Sequence, residues 1–464
     1  PRNQNKCCHN NGLPPPLMFA ACPPTARPVG RKKLVCATLS ISCMIPAASS
    51  GGNASSSRNA VTNCAHTKNG SRIHVMPGAR SWMMVVMMFT EPSNDDVIKN
   101  TIPMSQKVWP SVGIEVASGE YEVPLVVQDK QFNPDGTLFY PTVGITAVHP
   151  IWVPEFFGDA PVVNAIAYPF LDVEPRRYRL RFYNGSQARF YNFKFIVGKK
   201  ILPFYIIGME QSLLPAPVLA NTLLLAPGER ADVIIDFAGL TKSTIVTLKN
   251  DAKAPFPGGQ GGDVNQVMQF QVTKPLFGKD TTTPPASLVL PAVPRLAPTP
   301  GAPMREIVMK ETMDMVTGVP TDVRLNGKWF DDPGMDESPK VGDTEIWQFV
   351  NLTVDAHPMH MHLVQFQVYD RQPFNAALYA ADWTAGIAGP VGNYITGPAV
   401  PPPPEELGWK DTVKSMPGEI TRVIAKFDVP AGTTLPAEYV YHCHILEHEE
   451  NEMMRPFIVT VDGT

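Results

Sequence analysis

A chain of 464 residues is too long for a single hydrophobic core and is expected to divide into two or three domains. Its 39 Lys and Arg against 43 Asp and Glu give a formal net charge of -4, with no basic footprint for nucleic acid and no acidic tail. The 49 prolines and 34 glycines break long helical patterns and suit short strands joined by irregular loops, so an all-β fold is expected.

Residues 1–115 stand apart from the rest. Cys7, Cys8, Cys22, Cys36, Cys43 and Cys64 lie there among Ser- and Asn-rich runs with little alternation, and their irregular spacing makes a poor disulfide framework. Arg31 to Ser50 has a basic start, a short apolar middle and small residues at its end, as a secretory signal does, although thirty residues precede it. Met83, Met84, Met87 and Met88 read more simply as an apolar segment than as a cuprous-ion site. No run of eighteen apolar residues occurs, so no membrane-spanning helix is expected.

From Tyr121 the pattern changes. YEVPLVVQDKQFNPDGTLFYP reads as a hairpin about the turn from Asn133 to Gly136. Strands follow at sandwich-like spacing in APVVNAIAYPFLDV, RRYRLRFYNGS, NTLLLAPGERADVIIDFAGL, STIVTLKN and VMQFQVTKPL, which outlines a β-sandwich over residues 116–274. Residues 275–304 are rich in Pro and Thr and read as an extended interdomain linker. A second β-rich block, 305–464, has strands in EIVMKET, TEIWQFVNLT, HLVQFQVYD, TRVIAKFDV, EYVYHCH and RPFIVTV. Within it, Asp370 to Trp409 reads as a long surface loop of polyproline character. Glycosylation sequons begin at Asn53, Asn69, Asn184 and Asn351, which matters only for a protein secreted by a eukaryote. No phosphate-binding glycine loop and no Gly-x-Ser-x-Gly elbow appears, so nucleotide and hydrolase chemistry lack support.

The chemistry gathers in two motifs. HPMHMH supplies His357, His360 and His362, and HCHILEHEENEMM supplies His442, Cys443, His444, His448, Glu449 and Met453. On a strand, His442 and His444 point to one face and Cys443 to the other, while His360 and His362 share a face. One strand can therefore feed two metal sites back to back. A thiolate, two imidazoles and a weak thioether form the ligand set of a copper electron-transfer site, available here from Cys443, His448, Met453 and the distant His357. Zinc competes for the same atoms, but its structural sites usually show paired cysteines and this half of the chain has Cys443 alone. His9, His66, His74 and His149 are isolated and read as ordinary core or surface histidines.

These motifs resemble those of the multicopper oxidases, in particular the bacterial spore-coat laccase, phenoxazinone synthase and bilirubin oxidase group. The similarity runs from about Tyr121 to the end, through VNAIAYPFLDVEPRRYRLRFYNGS, LAPGERADVIIDF, GGDVNQVMQFQVTKPL, LNGKWFDDP and GPAVPPPPEELGWKDTV. The resemblance implies tandem cupredoxin-like Greek-key β-sandwiches: a degenerate or misassigned first region over 1–115, a second domain over 116–274 and a third over 305–464. It also implies four copper ions. His357, Cys443 and His448 would hold a type 1 ion with Met453 as axial ligand, His360 a type 2 ion, and His362, His442 and His444 the type 3 pair. Cys443 would link the type 1 ion through its covalent neighbours to the trinuclear site, and Glu449 would relay protons there.

The implied activity is laccase-like: one-electron oxidation of phenols or aromatic amines, coupled to reduction of dioxygen to water, with Cys443, His448 and Glu449 as the working residues. A monomer without nucleic-acid or membrane partners is expected, secreted or associated with a spore or cell surface. A cuprous-ion oxidase is the sibling reading, but no Met-rich insert lies near the two motifs beyond Met453 and Met454. The family pattern also has four histidines in two His-x-His motifs of the first domain, and residues 1–115 contain none. Two readings stay open: this stretch is a misassigned or frame-shifted first domain, or the chain is a variant in which only the type 1 set is complete and which carries electrons or copper without catalysis.

Overall fold

The structure, a computed structural model, describes residues 73–75, 116–141, 153–261, 264–314, 316 and 320–463. The expectations for the six N-terminal cysteines, the signal-like segment, the paired methionines, Asn53, Asn69, His9, His66 and His149 fall outside these residues, as does the side chain of His74. All described residues belong to one compact unit, Ala60–Thr464.

Alternation builds the first sandwich. Along Glu122–Phe132 the residues Leu125, Val127 and Asp129 turn inward while their neighbours stay partly exposed, the period of two that a pleated strand imposes. This strand lies in an eight-stranded sheet ordered Ser212–Ala220, Phe204–Met209, Arg230–Asp236, Arg177–Asn184, Glu122–Phe132, Ala160–Val163, Ile166–Ala167, with Leu138–Phe139 paired beside it. The second, seven-stranded sheet runs Ile73–Val75, Pro169–Val173, Gln266–Val272, Ile245–Asn250, Tyr191–Val197, Leu223–Leu225, with Lys200–Ile201 at its side. Phe182, Phe193, Phe195, Phe204, Phe237 and Phe270 are fully buried in one shared core. Each such burial is worth about 1.5–3 kcal/mol.

The second sandwich has a five-stranded sheet, Pro320–Leu325, Met304–Met313, Thr344–Asn351, Glu419–Lys426, Phe366–Pro373. Its four-stranded sheet is ordered Thr412–Ser415, His357–Met361, Ala437–Cys443, Met454–Val459. Trp347 packs between them, stacked on Phe427 at 5.5 Å and edge-on to Tyr441 and Phe457. The four-stranded sheet pairs the two histidine motifs directly, with His360 opposite His442 and Met359 opposite Cys443.

The two sandwiches repeat a local device. Asn184 donates from Nδ2 to the carbonyls of Arg189 and Leu225 and accepts the Ser186 N–H; Asn351 donates to those of Asp355 and Ser415 and accepts the Thr353 N–H. Leu225 and Ser415 each stand two residues before a Pro-Gly-Glu turn, at Gly228 (φ 79°) and Gly418 (φ 72°). Both asparagines are sequon residues, yet their amides are buried and committed to these turns.

Residues 275–303 contain no strand, and the short 3-10 turn Pro285–Ser287 is their one ordered element. The segment is nevertheless anchored: Leu288 and Leu290 sink into the first core, and the Gln367 amide accepts from Leu296 N–H and donates to the Pro294 carbonyl. The stretch read as a loop from Asp370 to Trp409 carries a helix, Ala376–Thr384, started by Asn375, whose side chain accepts the Leu378 N–H at 3.1 Å. The surrounding prolines had masked this short alanine-rich segment. Among the described residues no helix is long and apolar enough to cross a membrane.

Candidate metal centre

Cys443 closes the strand Ala437–Cys443, and the chain then turns into the short helix Leu446–Glu449, which carries His448. Cys443 Sγ lies 3.6 Å from His357 Nδ1 and 3.7 Å from His448 Nδ1, and all three residues are fully buried. An ion at bond lengths of about 2.0–2.3 Å in a trigonal arrangement puts sulfur and nitrogen about 3.7 Å apart, so the three atoms fit one soft cation without rearrangement. The tautomers agree with this. Thr353 Oγ accepts from His357 Nε2 at 2.7 Å, and His448 bonds the Pro154 carbonyl, which leaves an Nδ1 lone pair on each ring facing the sulfur.

Met453 is drawn in by the backbone. Its N–H donates to the His448 carbonyl at 2.9 Å and its carbonyl accepts the Cys443 N–H at 3.0 Å, so the 448–453 loop folds back on the strand and buries Met453 in the core that holds Cys443. Burial pushes the Cys443 thiol well above its usual range and lowers His357 and His448, the latter to about 3. Both imidazoles are therefore neutral and free to act as ligands, and the buried thiol would give up its proton only to a cation.

The second group stands on the opposite face of the same strand. Donor atoms of His360, His362 and His442 lie within 4.8 Å of one another, with His362 Nε2 and His442 Nε2 3.3 Å apart. The His444 ring sits 5.8 Å from the centroids of both His360 and His442. His360 Nδ1 donates to the Asp411 carbonyl at 2.8 Å, and His442 Nδ1 donates to the Cys443 carbonyl at 2.9 Å and lies 3.3 Å from Glu449 Oε2. Burial lowers His360 to about 4 and also lowers His362 and His444, which favours the neutral form of these three rings. Burial alone would raise Glu449, but the hydrogen bond to His442 overrides it and holds the carboxyl below its usual range.

All nine residues singled out in the sequence are thus brought together around Cys443. Four others carried no recognisable signal of their own. Glu311 Oε1 lies 3.9 Å from His357 Nε2 and is held at about 8 by burial. Asp411 and Arg230 form a two-pronged ion pair at 2.7 and 2.6 Å, and Lys410 is fully buried between Glu210 (2.7 Å) and Glu229 (3.2 Å). Asp411, Arg230 and Lys410 stand inside the stretches LAPGER and GWKDTV, yet only the fold shows that these meet across the boundary between the sandwiches.

A family profile described as multicopper oxidase matches residues 301–463. The chain is 42% identical over 356 residues to a laccase of Bacillus subtilis (strain 168), covering 75% of this chain and 64% of that protein. It is 37% identical over 380 residues to multicopper oxidase LPR1 homolog 3 of Oryza sativa subsp. japonica, covering 75% and 70%. The fold matches the crystal structure of the McoA multicopper oxidase of Aquifex aeolicus with a TM-score of 0.58 and 29% identity, over 79% of this chain and 69% of that one. The chain thus spans just under two thirds of the length of the Bacillus subtilis laccase.

Proposed function

The chain belongs to the multicopper oxidase family, and from that premise we propose that it removes single electrons from phenols or aromatic amines and delivers them to dioxygen, as a laccase does. What carries this reading is Cys443, whose sulfur faces His357 and His448 while the residues bonded to it on either side face the other histidines. We assign His357, Cys443, His448 and axial Met453 to a type 1 site, His360 to a type 2 site, and His362, His442 and His444 to a type 3 pair, within a second cupredoxin domain over 116–274 and a third over 305–464. Copper at the first group would accept electrons singly, and copper at the second would pass them to dioxygen. The protein keeps the Cys443 group dry and its imidazoles neutral, holds His357, His360 and His442 each by one ring nitrogen, and supplies a short covalent path through Cys443 to His442 and His444. Glu449, hydrogen-bonded to His442 and partly exposed, is placed to bring protons from solvent to the oxygen side.

A second reading keeps only the Cys443 group: a copper or electron-transfer protein without oxygen reduction, favoured by the lack of any His-x-His pair in residues 1–115. Copper content and oxygen uptake separate the two. About four ions per copper-saturated chain, with oxygen consumed alongside a phenol, is the result expected of the oxidase. About one ion, with no oxygen consumed, would leave the electron carrier.

A further inference from the structure

The histidine cluster assigned to the oxygen side is built on one sandwich but touched by the other. We propose that the turn 226–230 of the first described sandwich is a positioning element for that cluster: Gly228 makes the space that sets the His444 ring, and Arg230, through Asp411, sets the tautomer and direction of His360. The proposal rests on the reading of these histidines as copper ligands.

Gly228 is constrained twice. Its φ of 79° lies in the left-handed region, and a Cβ there would fall 2.3 Å from His444 Cδ2 and 2.6 Å from Cγ and Nε2. No side chain can share that space with the ring in its present place. Gly418, at the corresponding turn of the other sandwich, has nearly the same φ, 72°, but nothing within 4 Å of a would-be Cβ. The backbone demand is common to both turns, and the ring contact belongs to Gly228 alone.

Arg230 continues the same turn. Its Nη1 bonds the Gly228 carbonyl at 3.0 Å, and its two-pronged grip on Asp411 is reinforced by Gln211 Nε2 at 2.5 Å. Thr412 Oγ donates to Asp411 Oδ1 at 2.9 Å, which leaves its lone pair for His360 Nδ1 at 3.1 Å beside the Asp411 carbonyl at 2.8 Å. Both partners of Nδ1 are thereby acceptors. The proton is fixed on Nδ1, and Nε2 presents its lone pair to the other histidines.

The test compares copper-free crystal structures of Gly228→Ala and Gly418→Ala, followed by titration of each, and of Arg230→Lys, with copper(II). In Gly228→Ala the His444 ring should leave its 5.8 Å separation from His442, whereas Gly418→Ala, with the same backbone strain, should leave it unchanged. Copper outside the blue site should bind about 10–100-fold more weakly in Gly228→Ala, and more weakly in Arg230→Lys, which keeps the charge but loses the fork, while the blue absorption at Cys443 is retained. An unmoved ring in Gly228→Ala, or an equal loss in Gly418→Ala, would overturn the proposal. If the unsubstituted protein takes up blue copper only, the ligand reading of this cluster fails, and the two crystal structures still decide whether Gly228 sets His444.

Discussion

Cys443 Sγ and His357 Nδ1 stand 3.6 Å apart although 86 residues separate them in the chain. Their strands pair with Cys443 opposite Met359, two residues from His357, so the contact is enforced by sheet register rather than by a flexible loop. Cys443→Ser removes the thiolate but little volume. The expected result is complete loss of the blue absorption with the protein still folded by circular dichroism; a surviving blue band would remove Cys443 from the site.

Glu449 sits between solvent and His442. Glu449→Gln keeps the shape and abolishes proton transfer at that position, and turnover should fall about 100-fold or more at neutral pH while copper content holds. Oxygen uptake with a phenolic donor measures it, and an unchanged rate would assign proton delivery elsewhere.

Lys410 is fully buried and joins Glu210 and Glu229 of one sandwich to its own strand-end segment in the other. Lys410→Met leaves Glu210 buried without its cation beside Glu229, which keeps Lys414 at 2.7 Å, an expected cost of about 3–5 kcal/mol. Denaturant unfolding of the copper-free protein reads this directly. A change under 1 kcal/mol would mean that water reaches the pair.

Glu337 is buried where Tyr441 O–H donates to it at 2.8 Å, and burial raises its carboxyl to about 7. The unfolded chain releases this proton near the ordinary Glu value while the native chain keeps it. Stability is therefore fully present below about pH 4.5 and falls as pH rises toward 7, by on the order of 3 kcal/mol in all. Glu337→Gln, which mimics the protonated acid, should flatten that slope and be more stable than the parent at pH 8. A parent and variant with parallel profiles of unfolding free energy between pH 4.5 and 8 would show the carboxyl to titrate normally.

Much of this molecule was legible from local chemistry. Short β-rich runs between turn signals located the strands around Glu122–Phe132, Arg177–Asn184, Thr344–Asn351 and Ala437–Cys443, because composition and strand alternation are properties of neighbouring residues. For the same reason the opposite facing of Cys443 and its flanking histidines followed from strand geometry alone. Strands such as Phe204–Met209 and Ser212–Ala220 were passed over. The first is buried on both faces and the second is interrupted by Pro215 and Pro217, so neither alternates cleanly. The helix at Ala376–Thr384 was hidden by its proline-rich surroundings.

The sequence by itself thus determined the β architecture, the two histidine motifs and the sharing of one strand between two groups of histidines. Only the tertiary structure decided that His360 faces His442 across a sheet, that Gly228 and Arg230 of a different sandwich reach His444 and Asp411, and that Glu311 approaches His357. Those relationships join residues dozens to hundreds of positions apart. They arise from register and domain packing, which leave no period in the chain for a sequence to display.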